Sequence, residues 1–209
     1  MSPNVLTTNH VLSRVLDDLS VPHIEERLPR DFFYRLGLGF PQQYGITCRD
    51  VASCVRRAEA LGAGPFLHAT LAAPNWIEEG ERRDCRLEFA LGYAGDAQIE
   101  FLGPGEGTEH YARALRDTDI AFHHVGIYQT GIEQISATLE SSGYRTVVRG
   151  GISLGPALTI DFRYFDARQD HGIYLEVLDF QTFGFQLSTE PAIRAYSALK
   201  RRLSPFFRG

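Results

Sequence analysis

Little in this chain points to a membrane, a nucleic acid or a disulfide scaffold. No apolar run approaches the ~20 residues that a helix needs to cross a bilayer. Met1 to Ser20 mixes Asn, His, Arg and Asp among its apolar residues, so the continuous apolar centre of a secretory signal is missing. No basic stripe is present: the formal net charge is −5, and the one basic cluster, Lys200-Arg201-Arg202, reads as a solvated helix end. No nucleic-acid partner and no membrane partner are therefore expected. The cysteines are Cys48, Cys54 and Cys85, an odd number at spacings that fit no zinc motif, which argues against a disulfide framework. Cys54 reads as a small buried hydrophobe, and a reducing cytoplasm is the expected location. The glycine runs Gly150-Gly151 and Gly103-Pro104-Gly105 carry no phosphate-binding pattern. What remains is a chain of 209 residues, 44 % apolar and 22 % charged, long enough for one large domain or two fused small modules.

What the chain has in plenty is internal likeness. Gln42-Gln43-Tyr44-Gly45-Ile46-Thr47 returns as His123-His124-Val125-Gly126-Ile127-Tyr128, with His124 standing 81 residues after Gln43. In the same frame Val51 meets Ile132, Cys54 meets Ile135 and Gly62 meets Gly143. Farther on, Ile99-Glu100-Phe101-Leu102 meets Leu175-Glu176-Val177-Leu178, at a shift of 76 residues from Glu100 to Glu176. The second copy is thus shorter by five residues of loop. A duplication of this kind governs the reading of the whole fold.

Each copy carries the same series of elements. A strand over Tyr44 to Cys48, or Val125 to Tyr128, leads into a helix over Asp50 to Leu61, or Gly131 to Ser141. Gly62 and Gly143 end these helices, where a left-handed residue is needed. Three extended segments follow: Gly64 to Leu71, Cys85 to Tyr93 and Ala97 to Leu102 in the first copy; Tyr144 to Val148, Ala157 to Asp166 and Ile173 to Phe180 in the second. Turns at Ala94-Gly95-Asp96 and Gln169-Asp170-His171-Gly172 separate the last two. The predicted fold class is α+β: two tandem βαβββ modules pairing into a half-open barrel around a metal site. The expected boundaries are an N-terminal helical extension over 1–39, module 1 over 40–105, a linker over 106–120, module 2 over 121–182 and a C-terminal helical extension over 183–209. Helices are expected at Val11 to Leu19 and Glu190 to Leu203, with a short one near Tyr111 to Leu115. Leu28 to Phe40 is expected to pack as a lid or brace.

The duplication pairs four residues able to hold a metal: Gln43 with His124, and Glu100 with Glu176. Both glutamates stand mid-strand among apolar neighbours, where a carboxylate is costly unless paired or bound. A pseudo-twofold relation brings equivalent positions together, so four side chains converge. Two carboxylates, an imidazole and an amide oxygen suit a divalent ion of borderline hardness: Zn, Ni, Co, Mn or Fe. No cysteine is matched to the site, which disfavours a thiolate-rich structural zinc. Strand alternation turns His123 to the face opposite His124, as a core histidine. Phe162 and Tyr164 either line the pocket or fill the core. Asn75 and Trp76 fall in a Pro/Asn-rich loop that closes over a substrate or packs on the module. His171 is expected at the surface.

These residues carry a resemblance. His123-His124-Val125-Gly126-Ile127, Gln43-Tyr44-Gly45-Ile46, Gln98-Ile99-Glu100-Phe101 and Tyr174-Leu175-Glu176-Val177 resemble the signatures of the vicinal oxygen chelate superfamily over about residues 42–180. Glyoxalase I and methylmalonyl-CoA epimerase are members. The resemblance implies the paired βαβββ fold and a divalent metal on Gln43, Glu100, His124 and Glu176. It also implies that the glutamates move the substrate proton. Where glyoxalase I carries an arginine and an asparagine, each four residues past a ligand, this chain has Thr47 and Pro104. The resemblance therefore extends to the metal site and not to a glutathione subsite.

The expected activity is a metal-dependent lyase or isomerase that transfers a proton next to a carbonyl through an enediolate. Glu176 is the expected base and Glu100 its partner. The substrate is a small molecule, moderately large and partly apolar, with an acyl thioester among its possible forms. A homodimer is left open. The alternatives are a metal-dependent dioxygenase, which would favour two histidines and one carboxylate, and a non-enzymatic small-molecule binding protein of the same fold.

Overall fold

The computed structural model describes residues 28–95, 97–153, 158–182 and 185–186. The helices expected at Val11 to Leu19 and Glu190 to Leu203, and the Lys200-Arg201-Arg202 cluster, lie outside the described residues. In chain order the elements are α1 (Arg30–Arg35), β1 (Gln43–Cys48), α2 (Val51–Ala60), β2 (Leu67–Glu78), β3 (Glu81–Ala94) and β4 (Ala97–Leu102). A 3₁₀ turn at Ala112–Leu115 follows, then β5 (Ile120–Tyr128), α3 (Ile132–Ser141), β6 (Thr146–Ser153), β7 (Leu158–Ala167), a four-residue helix α4 (Arg168–His171), β8 (Ile173–Thr182) and β9 (Phe185–Gln186).

The nine strands form one mixed sheet, of which β1 to β8 close into a barrel and β9 pairs with β8. β1 pairs parallel with β4 and antiparallel with β5, while β5 pairs parallel with β8. Antiparallel ladders complete each side, β4–β3–β2 and β8–β7–β6. The ring is completed between β2 and β6 through Ile77↔Arg149 and Glu78↔Val148 alone, so hydrogen bonding runs all the way round where a half-open barrel was expected.

Strand alternation separates two cores. Outward-facing Ile46, Phe101, Val125, Ile127, Leu175 and Val177 pack under α2 and α3. Asp50 caps α2 by accepting from Ser53 N at 2.8 Å, and α3 begins at Gly131 with φ of 79°. Leu28, Phe32, Phe33 and Leu38 join this outer core, so the segment before β1 is a brace on the helical side and not a lid. His171 is half-buried there, its ring 4.5 Å from that of Phe32. Inward-facing Trp76, Leu87, Leu102, Tyr111, Phe162, Tyr164 and Leu178 make the second core, inside the barrel. No helix among the described residues is long and apolar enough to cross a membrane.

Two local expectations are corrected. Asn75 and Trp76 are not in a loop: β2 and β3 form a long hairpin closed by the two residues Glu79 and Gly80, both at positive φ (51° and 87°), as such turns require. Pro74 is accommodated because the register shifts between Ala73 and Trp76, leaving Pro74 and Asn75 outside the ladder while Trp76 is buried. Second, His123 does not turn away from His124. The β1–β5 register passes from Gly45↔His124 to Ile46↔Phe122 and skips His123. This bulge interrupts the alternation and puts both imidazoles on the inner side.

Candidate metal centre and cavity

Four strands meet where β1 and β5 cross the middle of the ring. Gln43 on β1 lies opposite Gly126 on β5, and His124 on β5 opposite Gly45 on β1. Glu100 on β4 is registered beside Gly45, and Glu176 on β8 beside Gly126. Each glycine makes room for one of the candidate ligand side chains. A Cβ added at Gly45 would stand 1.8 Å from His124 Cε1, and one at Gly126 would stand 2.5 Å from Gln43 Oε1.

His124 Nε2 lies 3.1 Å from Glu176 Oε2 and 3.4 Å from Glu100 Oε2. One ligand atom from each of these three residues falls within 4.8 Å of the others. The approach is close but not aligned for hydrogen bonding: His124 Nε2, Glu176 Oε2 and Gln43 Oε1 are all buried without a hydrogen-bond partner. Such orphaned atoms each cost about 1–3 kcal/mol unless something compensates them. A shared cation satisfies a carboxylate, an imidazole nitrogen and an amide oxygen together, so these residues fit a divalent metal. Gln43 lines the same cavity as the two glutamates.

The charges respond to one another. Burial on its own would push the His124 imidazole down, but the neighbouring Glu176 and Glu100 carboxylates outweigh it and lift the group to about 9. Glu100 is raised, first by burial and then by the charge of Glu176, with His124 opposing. Behind His124, its Nδ1 lies 3.1 Å from His123 Nδ1, so the bulge supplies the second nitrogen of this candidate ligand with a partner. His123 packs in turn against His110, Tyr111 and Tyr174. Burial holds both His110 and His123 well below the ordinary histidine value and Tyr111 and Tyr164 well above the tyrosine value. All four are therefore neutral at pH 7, and the two tyrosine hydroxyls pair at 3.0 Å. The sequence reading missed His110 and Tyr111. Both come from the segment before the 3₁₀ turn, which has no counterpart in the repeat frame.

These groups stand at one end of a cavity of about 360 Å³ inside the barrel. Register defines its layers. Leu91 with Glu100, and Tyr164 with Glu176, form the polar layer; Phe89 with Leu102, and Phe162 with Leu178, come next; Ile160 with Phe180 lies beyond. Phe162 and Tyr164, left between pocket and core by sequence, belong to both.

A family model of the glyoxalase/bleomycin resistance protein/dioxygenase superfamily matches residues 42–163, more than half of the chain. The chain belongs to this superfamily. Among solved structures it is similar to methylmalonyl-CoA epimerase from Mycobacterium tuberculosis, at 16 % identity and a TM-score of 0.48 over 74 % of this chain and 93 % of that one. It is similar to a hypothetical protein from Bacillus halodurans C-125, at 15 % identity and a TM-score of 0.46 over 66 % and 92 %. A mutant 4-hydroxymandelate synthase from Streptomyces coelicolor shows 10 % identity and a TM-score of 0.48 over 79 % and 54 %. No curated protein matches the chain.

Proposed function

We propose that this superfamily member is a metal-dependent lyase or isomerase, glyoxalase- or epimerase-like, that moves a proton next to a carbonyl. The reading rests on one observation: a buried imidazole and two carboxylates meet at one end of an otherwise apolar cavity, with three polar atoms left without a hydrogen-bond partner. Gln43, Glu100, His124 and Glu176 would hold a divalent ion, one of Zn, Ni, Co, Mn or Fe. When bound, that ion supplies Lewis acidity to a carbonyl oxygen of the substrate.

The chain's own groups do the rest. Glu176, buried beside His124, takes the proton from the carbon next to the carbonyl at a carboxylate oxygen. Glu100, whose carboxyl is raised by burial, is the partner that carries a proton for return to the same or a neighbouring carbon. Tyr111 and Tyr164 stay neutral and pair hydroxyl to hydroxyl beside the carboxylates. The walls beyond these groups are apolar. His123 meets His124 at Nδ1, on the side away from Glu176, and so does not build the two-histidine face favoured by an iron dioxygenase. We place the protein in the cytoplasm, acting on a small, partly apolar substrate, an acyl thioester among its forms. Two βαβββ modules, 40–105 and 121–182, joined by 106–120, would have arisen by duplication.

The test is solvent deuterium incorporation into 2-oxoaldehyde thiol adducts, 2-hydroxyketones and 2-substituted acyl thioesters by protein loaded with each metal. Glu176→Gln keeps the size and an oxygen but not the base, and should slow exchange by ~10²–10⁴. Exchange by none of the loaded forms, or wild-type exchange by Glu176→Gln, overturns the reading.

A further inference from the structure

The proposed reaction needs only the polar end of the cavity; the remaining depth has no role in it. From Glu176 to Phe180 the wall runs four residues of strand, about 13 Å at ~3.3 Å per residue. Over that distance the facing side chains are Phe162, Leu178, Ile160 and Phe180, with Phe89 across the barrel. Among the described residues the cavity lining holds no lysine, arginine or histidine. Beyond the layer of Gln43, Glu100 and Glu176, the polar atoms that border it are engaged elsewhere. The Tyr128 hydroxyl donates to Gln98 Oε1, and Trp76 Nε1 lies 3.4 Å from Glu78 Oε2. A charged tail placed here would lose its water and meet no counter-ion.

We propose that the site takes a substrate with a carbonyl head at the carboxylate end and a neutral, unbranched or aryl apolar tail filling this shaft, any thiol carrier lying outside it and adding nothing to binding. The proposal rests on the reading of the Glu100–His124–Glu176 end as the reacting end. Size follows from volume. At ~30 Å³ for each water-sized group, 360 Å³ holds about a dozen non-hydrogen atoms. Phe180 and Ile152, both half-buried, stand at the far end of the shaft. Length discrimination is therefore set by the Ile160–Phe180 layer.

Trp76, the only tryptophan of the chain, lines the cavity and reports binding by its emission. Full-length protein, metal-free and zinc-loaded, is titrated with 1-hydroxy-2-alkanones of increasing length. Affinity should rise about fourfold per methylene, the equivalent of ~0.8 kcal/mol per buried CH₂, and level off near a dozen non-hydrogen atoms. A tail of the same length ending in a carboxylate should bind at least tenfold more weakly. The coenzyme A thioester of the matching acyl chain should bind no tighter than the free compound. Ile160→Trp, which fills the outer layer, should move the plateau to shorter chains, and Phe180→Ala should move it to longer ones. Affinity independent of chain length, a carboxylate tail that binds equally well, or a tighter thioester would each overturn the proposal. None of these readings needs turnover. A protein that shows the length slope but exchanges no proton keeps this inference and loses the proposed reaction, whereas working exchange with a flat slope does the reverse.

Discussion

Gly45→Ala isolates the packing that places His124. The added methyl group would stand 1.8 Å from His124 Cε1 and 2.2 Å from both ring nitrogens. Carbon atoms in contact normally keep ~3.5–4.0 Å, so about 2 Å of displacement is demanded. The ring has little room to give it. His124 is 0 % exposed, with the Tyr164 ring 5.2 Å and the His123 ring 5.4 Å from its own. Gly45 is not at positive φ, so alanine meets no backbone strain and the clash acts alone. Overpacking of this kind costs about 1–3 kcal/mol, or roughly 2–12 °C in Tm at 2–4 °C per kcal/mol for a chain of this length. Because His124 must move away from Glu100 and Glu176, zinc affinity should also fall by at least ~10-fold. Gly39→Ala is the control, since its nearest contact would be 3.7 Å from Ile127. Urea unfolding and competition with a chelating dye measure the two effects. If Gly45→Ala matches Gly39→Ala in both, the placement of His124 over Gly45 is wrong.

His124→Ala should abolish tight zinc binding, while His123→Leu should weaken it about tenfold by removing the partner of His124 Nδ1, and His123→Asn, which keeps an acceptor, should weaken it less; equal affinity in His123→Leu and wild type would remove that role. His110 supplies a pH test. Burial holds it well below 6.5, with the charges of His124, Arg113 and Arg168 acting the same way and Asp166 opposing. The unfolded chain therefore binds a proton at this residue that the folded one does not, once pH drops below about 6.5, and stability falls with falling pH by up to ~1.4 kcal/mol per unit. Urea unfolding at pH 7 and 5.5 should show this slope in wild type and a shallower one in His110→Phe; identical slopes would show that His110 is accessible to protons in the native state.

Much of this site could be read from the linear chain, because alternation and repetition are local properties. A period of two along Ile99-Glu100-Phe101-Leu102 and Leu175-Glu176-Val177-Leu178 puts one carboxylate per strand on the inner face, whatever surrounds it. Matching the copies then pairs Gly45 with Gly126, the positions that each give space to a candidate ligand side chain on the neighbouring strand. The helices α2 and α3 were legible for the same reason: apolar spacing and terminal glycines are written within a dozen residues.

What only the tertiary structure decided depends on partners far apart in the chain. The bulge at His123 arises from how β5 meets β1, and no count of residues within β5 reveals it. Pro74 reads as a loop by itself, yet the long pairing of β2 with β3 carries the strand through it and buries Trp76. His110 and Tyr111 enter the inner core from a connecting segment without periodicity. The apolar shaft belongs to no single element. It exists because the ring closes between β2 and β6, which sets side chains from both halves of the chain around one shared cavity.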